Sequence, residues 1–255
     1  MGNWCSRILF GSVDKGDMII DLEEGTFIET QRNTINNTKF VIKLNYKGSQ
    51  NENAFQETIN VDVIHVDEVE STMPASEEYI RQGNILPFIY NAKIQTKGRG
   101  QGDRKWEGGI GNLYTSTGIP KNMIKNEFSD KKIIIQITAI SIIQQLNKYA
   151  KKEFYLKHPN DILCKDKCKL GGILVEDFND FFIIGFGINI VNKPEENKIR
   201  QGGLSPCFVK HHLPEEVEEI NPLDLSIEVT KNILYNLQLS QIKINQLFEK
   251  YLIQS

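Results

Sequence analysis

Between residues 153 and 191 lie four apolar stretches, "EFYLKHP", "DILC", "KLGGILVED" and "DFFIIGFGINIV", separated by nothing longer than a turn. A parallel return needs a crossover of about a dozen residues or more, so neighbours joined this tightly pair antiparallel. Upstream, "INVDVIHVDEVEST" alternates as a strand, "PASEEYIRQGN" reads as a short helix beginning at Pro74, and "ILPFIYNAKIQ" reads as a buried strand. In "SDKKIIIQITAISIIQQLNKYAKK" apolar residues cover most of the helical circumference, so it is expected as a central helix with Ser129 as N-cap candidate. The closing "PLDLSIEVTKNILYNLQLSQIKINQLFEKYLIQS" is helical by periodicity. Strands outnumber helices, which predicts an α+β fold: a central, largely antiparallel mixed sheet flanked by helices.

The first 58 residues are rich in Asn, Thr and Gln; "TKFVIKLNYKGS" reads as a strand and turn, and "GSQNENAFQE" as a linker. The organisation expected is a polar, β-containing N-terminal extension of unknown role over 1–58 and one catalytic domain over 59–255. The 255 residues carry a net charge of −3, which offers no large basic field for nucleic acid, and no helix-turn-helix stands out, so no DNA partner is expected. Cys5, Cys164, Cys168 and Cys207 are too sparse for a disulfide scaffold and fit a reducing, cytoplasmic compartment. A zinc site from Cys164, Cys168, His211 and His212 is conceivable, but CxxxC without a second matching pair is a weak signal beside ordinary free thiols. The start "MGNWCS" fits an acylation pattern at Gly2 and Cys5, which adds weak membrane association to a cytoplasmic location; an ordinary start sequence reads the same way.

The stretch "QTKGRGQGDRKW" (95–106) spaces Gly98, Gly100 and Gly102 between Arg99, Gln101 and Asp103 and ends in Lys105 and Trp106. Asp103 stands where a dinucleotide fingerprint needs its third glycine, and "EGGIGNLYTS" then reads as a turn feeding a strand, so this is neither a Rossmann turn nor a Walker loop. Two readings stay open on this stretch alone: an anion-binding loop whose amides approach a ligand, or a glycine-rich surface loop. Three further stretches bear on the choice. "KHPNDI" sets Lys157, His158, Asn160 and Asp161 around a proline turn, "KLGGILVE" puts Lys169 before two glycines, and "GFGINIV" puts Asn189 after Gly185 and Gly187. Each has a bland reading as turn, surface or strand residue; together they supply cations, a carboxylate, an aromatic plate and bare backbone, the equipment for a nucleotide and a second, smaller ligand.

In order and spacing, "EST", "QTKGRGQGDRKW", "GNLYTS", "KHPNDI", "KLGGILVE" and "GFGINI" resemble the blocks of the biotin–protein ligases, also called holocarboxylase synthetases, across about residues 61–255. Met73 after "ST" resembles their eukaryotic branch. The resemblance implies the class II aminoacyl-tRNA synthetase-like catalytic fold of biotin and lipoate ligases. It also implies a reaction in which biotin and MgATP give biotinyl-5′-AMP, from which biotin passes to one lysine of a carboxylase carrier domain. By this likeness Arg99 and Lys169 are catalytic cations. Ser71, Thr72, Gln95, Gly98, Gln101 and Gly172 bind biotin, while Arg99, Gly100, Trp106, Asn160, Lys169 and Asn189 bind ATP or the adenylate, and Asp161 is the magnesium ligand. The glycine loop is expected to move when empty and to order over the intermediate.

The chain departs from the pattern in three ways. Gln101 replaces a second loop arginine, which predicts weaker retention of the adenylate; His158 replaces a tryptophan; and the sequence stops where relatives continue into a small β-barrel. A lipoate–protein ligase and a non-catalytic biotin or nucleotide sensor are the competing readings.

Overall fold

The computed structural model describes residues 22–24, 35–47, 54–150, 153–195, 202–217 and 219–253. Gly2 and Cys5, and with them the acylation pattern, lie outside the described residues.

The strands are β1 (Leu22–Glu24), β2 (Ile35–Lys47), β3 (Ala54–Val69), β4 (Phe88–Gln95), β5 (Leu113–Pro120), β6 (Phe154–Lys157), β7 (Asp161–Cys164), β8 (Lys169–Phe178) and β9 (Phe181–Ile188). They form one sheet in the order β1-β2-β3-β4-β5-β9-β8-β7-β6. Every pairing is antiparallel except β3 with β4, where Asp62 lies opposite Phe88 and Val69 opposite Gln95. That parallel pair is joined by helix α1 (Thr72–Arg81), the crossover such a pairing requires. The meander expected from the four tight stretches is β6 to β9. β3 runs unbroken from Ala54 to Val69, so the change of composition near residue 58 falls inside a strand, and the expected linker supplies its first residues.

β9 explains the layering. Its residues Phe182, Ile184, Phe186 and Ile188 point into the larger core, where α2 (Lys131–Leu146), α3 (Pro222–Asn236) and α4 (Gln241–Tyr251) pack. The alternating Phe181 and Ile183 enter a smaller cluster with Met73, Ile80 and Phe88 under α1. The period of two makes each strand serve both layers at once. α2 is buried almost all round, with Ile134, Ile137, Ile140, Ile142, Ile143 and Leu146 inaccessible to solvent, as its unbroken apolar circumference predicts.

Helix boundaries differ from expectation for local reasons. α1 starts at Thr72 with Ser71 as N-cap, leaving Pro74 in the first turn, where a missing N–H costs no helical bond. α2 is capped by Asp130, whose carboxylate accepts from Lys132 N at 2.8 Å, so the carboxylate beside Ser129 takes the role. The C-terminal helical stretch is two helices, the second capped by Ser240.

Candidate active site

Where β4 ends, the chain folds back as a small hairpin strap. Gly100 N donates to Arg104 O at 2.7 Å, Trp106 N donates to Gly98 O at 2.9 Å, and Arg99 pairs with Lys105 as an isolated bridge. Gly98 cannot be otherwise: a Cβ there would meet Trp106 O at 2.5 Å. The strap thus holds Trp106 over the middle of the sheet. The indole lies against Gly187, where an added Cβ would sit 2.6 Å from the ring, and reaches Gly172 beside it. Those two glycines are register partners on β8 and β9, so the pair leaves one flat floor for an aromatic plate.

Under the strap is a pocket of about 640 Å³ of empty space, its open mouth included. Its two ends differ in chemistry. At one end Gln95 Oε1 accepts from Thr72 N at 2.8 Å and Thr72 Oγ1 at 3.2 Å, while Ser116 Oγ donates to Thr72 Oγ1 at 2.7 Å. Ser71 Oγ beside them is buried without a partner. This end is neutral and presents hydrogen-bonding groups. The other end is cationic, with Arg99, Arg104, Lys105 and Lys169 all lining the wall.

Two of these cations are held by carboxylates. Arg99 makes a two-pronged pair with Glu176, at 2.7 and 3.4 Å, and Lys169 Nζ meets Asp161 Oδ1 at 2.6 Å. Lys169 Nζ also stands 5.7 Å from the centre of the Trp106 ring. The indole Nε1 is buried and has no partner. Asn160 supports the floor, its backbone O accepting from Ile173 N at 3.1 Å and its side chain donating to Ile173 O at 2.9 Å. Burial pushes the Tyr114 hydroxyl up to about 12; it donates to Gly109 O at 2.8 Å and fixes the turn behind the strap.

Of the residues expected from the sequence, Ser71, Thr72, Gln95, Arg99, Gly100, Gln101, Trp106, Asn160, Lys169 and Gly172 line this one pocket. Three stand behind its surface. Gly98 supports the strap, Asp161 touches the site through Lys169, and Asn189 is 2% exposed with Nδ2 donating to Cys207 O at 3.0 Å. Asn189 Oδ1 has no hydrogen-bond partner. Arg104 and Glu176 were missed. Arg104 donates to Gln101 O at 2.9 Å and to Gln101 Oε1 at 2.7 Å; the residue that replaces a loop arginine therefore anchors another one three positions on. Strand alternation puts Glu176 on the same face of β8 as Gly172 and Leu174, but does not reveal its pairing with Arg99.

A sequence model of the biotin/lipoate A/B protein ligase family matches residues 66–189, which hold every lining residue of the pocket. The chain is similar to this family over those residues, just under half of its length. Human biotin–protein ligase is 26% identical over 117 residues, 42% of this chain and 16% of that protein's length. The structure of Leishmania major biotin protein ligase in complex with biotin aligns over 74% of this chain and 81% of that one, with 25% identity and a TM-score of 0.67. Aquifex aeolicus biotin protein ligase in complex with biotin and ATP aligns over 75% of this chain and 78% of that one, with 26% identity and a TM-score of 0.63. The central mixed sheet with its flanking helices is thus the fold of these ligase structures.

Proposed function

We propose that this chain is the catalytic domain of a biotin–protein ligase, which activates biotin with ATP as biotinyl-5′-AMP and passes the biotinyl group to a lysine of a carboxylase carrier domain. The observation that supports it is the two-ended pocket: a neutral hydrogen-bonding end at Ser71, Thr72 and Gln95, and a cationic end at Arg99 and Lys169, in one cavity under Trp106. A cyclic urea needs paired donors and acceptors without net charge, and an acyl phosphate ester needs cations. The solitary Ser71 hydroxyl favours biotin over lipoate, because an apolar dithiolane would leave a buried polar atom unmatched.

In the first step a carboxylate oxygen of biotin attacks the α-phosphorus of ATP and pyrophosphate leaves. Negative charge grows on the phosphoryl oxygens, and fixed cations stabilise it without reorganising. Arg99 and Lys169 take this role; Glu176 and Asp161 hold them in place beforehand at the cost of competing with phosphate. In the second step the amine of the carrier lysine attacks the acyl carbon and AMP leaves. Trp106 offers its face to the adenine, with Gly100 and Asn160 beside it, and Asn189 behind the floor. Gly172 lets the ligand approach the backbone, and Gln101 with Arg104 closes the strap over the intermediate, which water would otherwise hydrolyse.

Asp161 is the hard oxygen ligand this site offers to magnesium, whose other ligands in nucleotide sites are phosphates and water. When bound, the ion would neutralise phosphate charge. The sparse cysteines lead us to place the activity in the cytoplasm.

The test is a coupled assay of the full chain with biotin and MgATP, following pyrophosphate release and then biotin on a carrier-domain lysine, with K169A as control. Both products, lost in K169A, are expected. Neither product, with biotin still bound, would replace this reading with a sensor.

A further inference from the structure

Next to the backbone of Lys169, among residues that do not line the pocket, three side chains converge that the reaction does not use. Cys164, the last residue of β7, Cys207 and His212 bring two sulfurs and one ring nitrogen to within 4.8 Å of one another. The spacing CxxxC at 164–168 and CxxxxH at 207–212 becomes a cluster through two turns. In the first, Cys164 N donates to Cys168 O at 3.0 Å and Lys167 N returns to Cys164 O at 2.9 Å. In the second, Cys207 is tied to the sheet, its N–H donating to Lys169 O at 2.9 Å, and a short 3₁₀ turn over Val209–His212 swings the imidazole back.

The cluster is dry and incomplete. Cys164 and Cys207 are 1% and 7% exposed, and the His212 side chain is 4% exposed. Its Nε2 is buried with no hydrogen-bond partner, while Nδ1 faces Glu153 Oε2 at 3.7 Å. A buried imidazole costs free energy when one nitrogen is left unpaired. A carboxylate beside one nitrogen of an imidazole that stands within reach of two sulfurs is the arrangement that orients a metal-bound histidine.

We infer that Cys164, Cys207 and His212 bind a zinc-class cation, with the fourth position open to water or to the half-exposed Cys168 thiol. Two thiols and an imidazole select a tetrahedral, thiophilic ion over magnesium or calcium. With metal–sulfur bonds of about 2.3 Å, tetrahedral geometry sets the sulfurs about 3.8 Å apart. Cys207 Sγ now donates to Cys164 Sγ at 3.0 Å, so loading requires that both thiol protons leave and that the sulfurs part by under an ångström. The bound ion would be structural, fastening the segment that carries Cys207 to β7 and β8. That segment also holds Asn189 through Cys207 O.

The test uses the full chain, reduced and stripped with chelator, then titrated with Co²⁺. The expected result is one equivalent per chain with thiolate-to-cobalt charge-transfer absorption, displaced by Zn²⁺, and a melting temperature that rises on loading. The absorption is lost in the C164S/C207S double variant. Because serines in the core can unfold the chain, H212Q is the second variant, its fold checked by circular dichroism. Folded H212Q should bind Co²⁺ more weakly by more than the roughly 10–100-fold that loss of an outer partner costs. Absence of thiolate absorption in the fully reduced native chain overturns the inference, as does a native spectrum and affinity in folded H212Q. So does a chain that forms a Cys164–Cys207 disulfide on handling and takes up no Co²⁺ after reduction.

Discussion

The two faces of β9 carry neighbouring residues of one strand to opposite ends. On the helix face Phe182, Ile184, Phe186 and Ile188 keep their side chains along the whole strand and are buried in the larger core. On the other face Phe181 and Ile183 pack under α1, and then Gly185 and Gly187 give the space up, to Met73 Sδ and to the Trp106 ring. The packed face maximises apolar burial. The bare face trades that burial for a floor on which another plate can lie, and it is there, not in the core, that Ser71 Oγ and Trp106 Nε1 lack partners. Stability and ligand binding are therefore carried by alternate residues, and substitutions one position apart should separate them.

The sharpest contrast is Ile184→Ala beside Gly187→Ala. Ile184 is fully buried, and truncation of such a residue costs about 2–5 kcal/mol, which denaturant unfolding measures directly. Gly187→Ala adds a carbon 2.6 Å from the indole. The ring must move off the floor, so nucleotide affinity measured by titration calorimetry is expected to fall with unfolding free energy close to native. A large stability loss in Gly187→Ala with unchanged affinity would erase the division of labour between the faces.

Next in size is the cationic end. On the proposed reaction Lys169→Ala removes a cation that stabilises the phosphoryl group and should slow pyrophosphate release by about 10²–10³-fold, or roughly 3–4 kcal/mol of barrier. Glu176→Gln frees the Arg99 pair, which is part-exposed on both sides, so its stability cost should stay within about 1 kcal/mol. Arg104→Ala should speed escape of the adenylate, read as its release rate after rapid gel filtration. An unchanged rate would mean that the strap holds the intermediate through Arg99 alone.

How much of this contrast is visible in the sequence depends on whether a residue type or a register is being asked for. The meander β6 to β9 was legible because turns that short leave a chain no other return. That Arg99, Lys169, Trp106, Gly100 and Gly172 share one pocket was legible because a nucleotide site restricts which residue types can build it. A mixed sheet was expected, but that its parallel step joins β3 to β4 was not, since a strand's own pattern does not reveal its neighbour's direction. Glu176 faces Arg99 across 77 positions of sequence, and Cys207 faces Cys164 across 43. Both meetings are set by strand pairing, which local patterns leave open.

At the neutral end the expected effects shrink. Ser71 Oγ has no partner, so Ser71→Ala should leave stability equal or slightly higher. Biotin affinity should fall by about 1–2 kcal/mol, the worth of one buried hydrogen bond. A stability loss instead would mean that the hydroxyl serves the fold.

The smallest effect probes the edge where packed face and polar site meet. His65 Nδ1 lies 2.7 Å from Asn91 Oδ1, and Asn91 Nδ2 donates to Thr115 Oγ1 at 2.9 Å. Burial, helped by the charge of Lys93, holds the His65 pKa below its ordinary 6.5, against the raising influence of the Asn91 bond and Asp67. In the folded chain the ring thus resists protonation that the unfolded chain accepts. Between the two pKa values the unfolded state binds more protons, so stability falls as pH drops through 6.5 and levels off below the folded value. His65→Gln retains a hydrogen-bonding amide and removes the titration. The difference in unfolding free energy between native chain and variant, followed from about pH 7.5 to 5, should move against the native chain on acidification. A flat difference would mean that the polar edge does not discriminate between the two charge states of His65, and that its network is set by Asn91 and Thr115 alone.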